Sequence, residues 1–124
     1  MQRAFMVAGG IAGALAVALG AFGAHGLSAT LEANGRAGTF DTAAHYHLAH
    51  ALALVLAGLL AERLPGRWIR LAGWLFLAGV LIFSGSLYIL AVFDLGFMGA
   101  VAPLGGAALI GGWLCLALAA WTRR

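Results

Sequence analysis

The stretch Ala43-Ala-His-Tyr-His-Leu-Ala-His50-Ala-Leu-Ala-Leu-Val-Leu-Ala-Gly-Leu-Leu-Ala61 decides how the chain must be read. Its first half holds His45, Tyr46, His47 and His50, and its second half is almost pure hydrocarbon. As a helix it would be about 28 Å long at about 1.5 Å per residue, close to the thickness of a bilayer's apolar core. Ionisable side chains are costly at such depth, so these histidines demand either satisfied partners or a function.

The rest of the chain has the same character. Of its 124 residues 64% are hydrophobic and 9% charged, with a mean hydropathy of +1.01. A water-soluble domain of this length cannot bury so much apolar surface, and lipid must cover the remainder. Three further apolar runs, at about 5–24, 71–93 and 98–121, flank the run at 43–61, and each is long enough to cross a membrane. Asn34-Gly35, Pro65-Gly66 and Asp94-Leu-Gly96 punctuate the connections. The predicted fold is an all-α membrane protein, an antiparallel bundle of four transmembrane helices forming a single transmembrane domain over residues 1–124.

Smaller features follow from this frame. The run after Met1-Gln-Arg3 is read as a retained helix rather than a cleaved secretory signal, because it is of spanning length. Leu27–Ala33 is a short amphipathic piece that would lie along the interface. Thr39, Asp41 and Thr42 are N-cap candidates for the second span. Cys115 stands alone in an apolar run, which excludes a disulfide within the chain and predicts a buried thiol.

All seven basic residues are arginines, and the formal net charge is +3. With four spans, Arg3, Arg63, Arg67, Arg70, Arg123 and Arg124 fall on one side, and Arg36 falls on the other with Glu32, Asp41 and Asp94. Positive residues collect in short cytoplasmic loops, so both termini are expected in the cytoplasm. Trp68, Trp74, Trp113 and Trp121 fall mostly toward that side, as interfacial anchors would. No basic stripe coincides with a polar face, which argues against a nucleic-acid partner.

Depth then sorts the polar residues. His50 is expected roughly 10 Å below the outer face, with Tyr88 and Ser84 at roughly 8 and 13 Å on the third helix, by the same helical rise. Tyr46, His47 and His50 share one face, as do Ser84 and Tyr88, while Ser86 lies opposite. Small residues mark the packing faces. Gly9 and Gly13 form a G-x-x-x-G pair, which Ala12, Ala16, Gly20 and Ala24 continue at spacings of four; Gly105 and Gly112 mark the fourth helix.

Gly20-Ala-Phe-Gly-Ala-His-Gly-Leu27, Tyr46-His-Leu-Ala-His50-Ala-Leu, Ser84-Gly-Ser-Leu-Tyr88 and Pro103-Leu-Gly-Gly106 together resemble the YgdD/YwdK-like family. This is a domain-of-unknown-function family of small four-helix bacterial membrane proteins. The resemblance covers nearly the whole chain in order. It implies that His25, Tyr46, His50, Ser84, Ser86, Tyr88 and the Pro103–Gly106 segment are signature positions. Family members often carry glutamine where this chain has His47. The resemblance implies an inner-membrane location and brings no activity or cofactor with it.

Three readings of the histidine layer compete. In the structural one, His25 and His50 hydrogen-bond Ser84, Tyr88 or carbonyls freed by glycine and proline. In the second, His25, His47 and His50 hold a metal or haem iron, although no cysteine or carboxylate completes a set. In the third, His25, Tyr46, His50, Ser84 and Tyr88 line a pocket for a quinone or lipid. Proton or solute conduction is a remote fourth. Catalysis is not expected, because no carboxylate has a depth that would orient His50 beside Ser84. The function expected is therefore an accessory or interaction subunit of a larger membrane complex, or a self-associating bundle. Binding of a metal, haem, quinone or lipid is the alternative.

Overall fold

Hydrocarbon offers no water to an open backbone, so each apolar run closes its own hydrogen bonds as a helix, despite the glycine content. The computed structural model describes residues 2–64 and 66–123. Met1, the Pro65 half of the Pro-Gly turn and Arg124 lie outside the described residues. The helices are α1 (Gln2–Ala24), α2 (Ser28–Asn34), α3 (Ala37–Leu60), α4 (Arg67–Gly79), α5 (Gly85–Phe93) and α6 (Met98–Trp121). A π-helical turn, Val80–Ser84, joins α4 to α5, so residues 67–93 make one crossing. Four helices are thus long and apolar enough to span a membrane. Among the described residues there is no strand.

Two boundaries differ from expectation. The second span begins at Ala37 rather than near Ala43, with Arg36 at its N-cap and no side-chain cap. Gly35 ends α2 in the left-handed conformation (φ 65°), and the Arg36 N–H reaches back to the Leu31 carbonyl at 2.9 Å. That closure completes the turn early and frees Ala37 to start the next helix. Thr39, Asp41 and Thr42 therefore sit inside α3, and the Thr42 hydroxyl donates to the Gly38 carbonyl at 3.0 Å. The third span starts at Arg67 rather than Leu71, because α4 begins directly after Gly66.

Packing is carried by a heptad rather than by the four-residue stripe read from the sequence. Phe5, Gly9, Ala16 and Gly23 are the buried residues of α1, and the last three are spaced by sevens. A seven-residue seam suits a left-handed antiparallel pair, whereas spacings of four suit a right-handed crossing. A Cβ on Gly9 would press into Val55 and the Ala51 carbonyl of α3, and one on Gly23 into the Phe40 ring. Gly20 by contrast faces open space, and Gly13 has ordinary room beside Ala51. On α6, Gly112 lies against the Phe76 ring and Gly105 against the Phe83 main chain.

α3 and the 67–93 crossing form the centre, with α1 packed along α3 and α6 along the crossing. Two apolar clusters close the bundle's ends. At the end carrying the N-terminus, Phe5 reaches Gly73 and joins Leu54, Ile69, Phe76, Cys115 and Ala119. At the other, Leu31, Phe40 and Ala91 pack together with Tyr88. Asn34 of α2 fastens that end by donating to the Ala91 and Val92 carbonyls at 3.0 and 3.1 Å, the orphan acceptors of the α5 terminus. The Arg36–Asp94 pair beside it is solvent-exposed and adds little.

These contacts separate two glycine classes. Gly105→Val should destabilise the bundle by about 1–3 kcal/mol, the usual cost of overpacking, whereas Gly20→Ala should leave thermal unfolding in detergent unchanged.

Candidate functional site

α3 turns His47 and His50 inward while His45 stays exposed, as their spacing on the helix requires. The two buried histidines take different partners. His47 Nδ1 lies 2.8 Å from the Tyr88 hydroxyl, linking α3 to α5. His50 Nε2 accepts the indole N–H of Trp113 at 2.9 Å, linking α3 to α6. Because Nε2 is an acceptor, the proton of neutral His50 sits on Nδ1, which donates to the Tyr46 carbonyl at 2.8 Å. The Tyr46 ring stacks on His50 at 6.0 Å with a 13° interplanar angle, and Phe76 and Trp113 pack around the same imidazole. His50 is thus a filled joint in the bundle.

Ser84 closes the π-helical turn and donates to the Ala43 carbonyl of α3 at 2.9 Å, fully buried. Ser86 donates to the Phe83 carbonyl at 2.9 Å. No buried side-chain nitrogen or oxygen among the described residues lacks a partner. A π turn leaves backbone groups out of the regular ladder. Ser84, Ser86 and the close approach of Gly105 to Phe83 all fall at or beside this one.

The expected single layer of His25, His50, Ser84 and Tyr88 is not assembled. His25 sits exposed in the turn after α1, where its carbonyl accepts from Ser28 Oγ at 3.0 Å. Tyr88 pairs with His47 instead of His50. His50 instead meets Trp113, which turns its indole N–H toward α3. His25, His47 and His50 do not converge, and no three His, Cys, Asp or Glu among the described residues gather as metal ligands. Sequence reasoning missed Trp113; its signal is a lone indole N–H well inside a span, where it needs an acceptor.

Beside the His47–Tyr88 pair, α1 and the third crossing diverge and leave a cleft of about 360 Å³. One wall is Ala8, Ile11, Ala12, Leu15 and Leu19 of α1, and the other is Leu77, Val80, Leu81, Ser84, Gly85 and Tyr88, with His47 between them. From Ala8 to Leu19 the α1 wall runs about 16 Å along the helix. The exposed Ile11, Leu15 and Leu81 border the side open to lipid. The polar atoms near its floor are spent on Ala43 and on each other, so the surface it offers is apolar.

Four membrane-length helices pinned by buried histidine pairs define a small polytopic integral membrane protein. The family described as "Protein of unknown function (DUF423)" matches residues 19–106. The chain is 44% identical over 120 residues to the UPF0382 membrane protein YwdK of Bacillus subtilis, covering 96% of this chain and 97% of that one. It is 38% identical over 117 residues to a UPF0382 membrane protein of Haemophilus influenzae, covering 94% and 93%. It is 35% identical over 119 residues to the UPF0382 inner membrane protein YgdD of Escherichia coli, covering 96% and 90%. No solved structure matches it. The chain belongs to this YgdD/YwdK-like family of membrane proteins.

Removing one partner from either pair leaves a buried nitrogen unsatisfied. Tyr88→Phe and Trp113→Phe should each lower stability by about 1 kcal/mol, the scale of interhelical hydrogen bonds in membranes. Thermal unfolding of the two variants in one detergent measures both, and Tyr46→Phe, which keeps its carbonyl, is the control.

Proposed function

We propose that the protein is a non-enzymatic binding protein for an apolar chain, held in the cleft between α1 and the third crossing. The observation that supports this is the lining of the cleft. It is of small-molecule size and mostly apolar, and its few polar groups already have partners. Such a surface selects a lipid acyl or isoprenoid tail, including that of a quinone, over a polar head. A catalytic reading gains no support here, because the Ser84 hydroxyl is committed to the Ala43 carbonyl and no carboxylate lines the cleft. The His47–Tyr88 pair holds the floor in shape.

A second reading, an accessory subunit or a self-associating bundle, is favoured by α1. Its outward face, with Gly10, Ala14, Ala18 and Ala21 exposed, packs on nothing within the chain. In both readings the protein sits in the inner membrane with both termini cytoplasmic. Arg3, Arg63, Arg67, Arg70 and Arg123 lie at one end of the bundle, and Arg36 at the other is already paired with Asp94.

Native mass spectrometry of the protein released from its own membrane in mild detergent tests the binding reading. A retained apolar molecule is expected. Gly85 lines the cleft and a Cβ there meets nothing within 4 Å, so Gly85→Leu should fill the space without a clash. That variant should lose the molecule while keeping its unfolding temperature. A bare wild-type chain, or undiminished retention by Gly85→Leu, overturns the reading. A polypeptide co-extracted at fixed stoichiometry would support the accessory role instead.

A further inference from the structure

The end of the bundle that carries the N-terminus has a second cavity of a different kind. The α3–α4 connection, the first turn of α4 and the end of α6 enclose about 530 Å³. Leu64 and Trp68 supply its apolar surface over the buried Ile69 and Ala119, and Arg63, Arg67 and Arg123 supply three guanidinium groups. Glu62 is the one acid in the lining. Among the described residues the sole ion pair is Arg36–Asp94 at the opposite end, so Glu62 is not paired to any of these arginines and three basic side chains face one acid. Arg67 lies over the Trp68 ring, its guanidinium carbon 4.8 Å from the centroid, which holds one charge at the cavity.

The backbone adds to this. Gly66 is the N-cap of α4 and offers no side-chain acceptor, and the dipole of this 13-residue helix adds partial positive charge at residues that line the cavity. Thr122 is turned away, its hydroxyl donating to the Leu118 carbonyl at 2.7 Å. The cavity therefore joins a positive rim to an apolar floor where three membrane helices end. Arginine forks match phosphate oxygens, and basic pockets between helix ends suit anionic headgroups.

We propose that this cavity binds a phosphate-bearing anion, supplied by the headgroup of an anionic phospholipid of the leaflet on that side. The apolar part of the lining favours the lipid source, since a free phosphate ester has no use for Leu64 and Trp68. The site is independent of the cleft beside His47, which takes a chain and offers no charge.

The test is lipid retention by the full-length, delipidated protein in native mass spectrometry, using phosphatidylglycerol and phosphatidylethanolamine with identical acyl chains. Both carry the phosphodiester, but the amine of the second cancels its charge. One phosphatidylglycerol should be retained preferentially. Arg67→Gln and Arg123→Gln should each weaken it about fivefold. Arg123 follows the last helix, so its variant does not disturb the spans. Arg70→Gln removes the same charge from the same end outside the cavity and should leave retention unchanged. Glycerol phosphate at millimolar concentration separates the two sources. Lipid that resists displacement places a headgroup in the site, and lipid that is displaced assigns the cavity to a soluble phosphate ester. Equal retention of the two lipids overturns the proposal, as does equal weakening by Arg70→Gln or no effect of the two cavity variants.

Discussion

Every polar group inside this bundle answers to one constraint: hydrocarbon provides no solvent partner, so each donor and acceptor must be matched within the protein. The central helix α3 carries most of the burden. His47 is matched by Tyr88, His50 by Trp113 and the Tyr46 carbonyl, and the Ala43 carbonyl by Ser84. The bonds to Tyr88, Ser84 and Trp113 tie α3 to the third crossing and to α6. Without a hydrophobic drive between helices in lipid, close packing and such bonds hold the arrangement together.

The close packing has its own logic. Large rings sit in notches left by glycine on a facing helix: Phe40 against Gly23, Phe5 against Gly73, Phe76 against Gly112. Each notch lets two backbones approach while a ring fills the remaining space, and the two end clusters are built from these rings. Between the clusters α1 has no such anchor on the third crossing. The same packing that closes the ends leaves the cleft open in the middle.

The π-helical turn at Val80–Ser84 is where these themes meet. It places Ser84 toward α3, brings Phe83 against Gly105, and forms part of the cleft wall. A regular helix through the same residues would rotate the face below the turn by about 100° for the one residue saved. Ser84 and Tyr88 read as one face in the sequence, and both do border the cleft. Their partners lie a full turn apart on α3, at Ala43 and His47.

What the sequence determined by itself was the class of protein, the number of spans and the identity of the family. Hydrocarbon length is a property of composition along a line, and a bilayer reads it in that form. A short helical piece expected around Leu27–Ala33 corresponds to α2 (Ser28–Asn34). Only the tertiary structure decided which polar residues meet. The His47–Tyr88 and His50–Trp113 pairs join positions 41 and 63 residues apart, and their choice depends on helix phase and depth. The side-chain partner of His50 changed from the expected Ser84 or Tyr88 to Trp113, and Tyr88 went to His47. Helical periodicity fixes which residues share a face, but the register between two faces is set by how closely the backbones can approach.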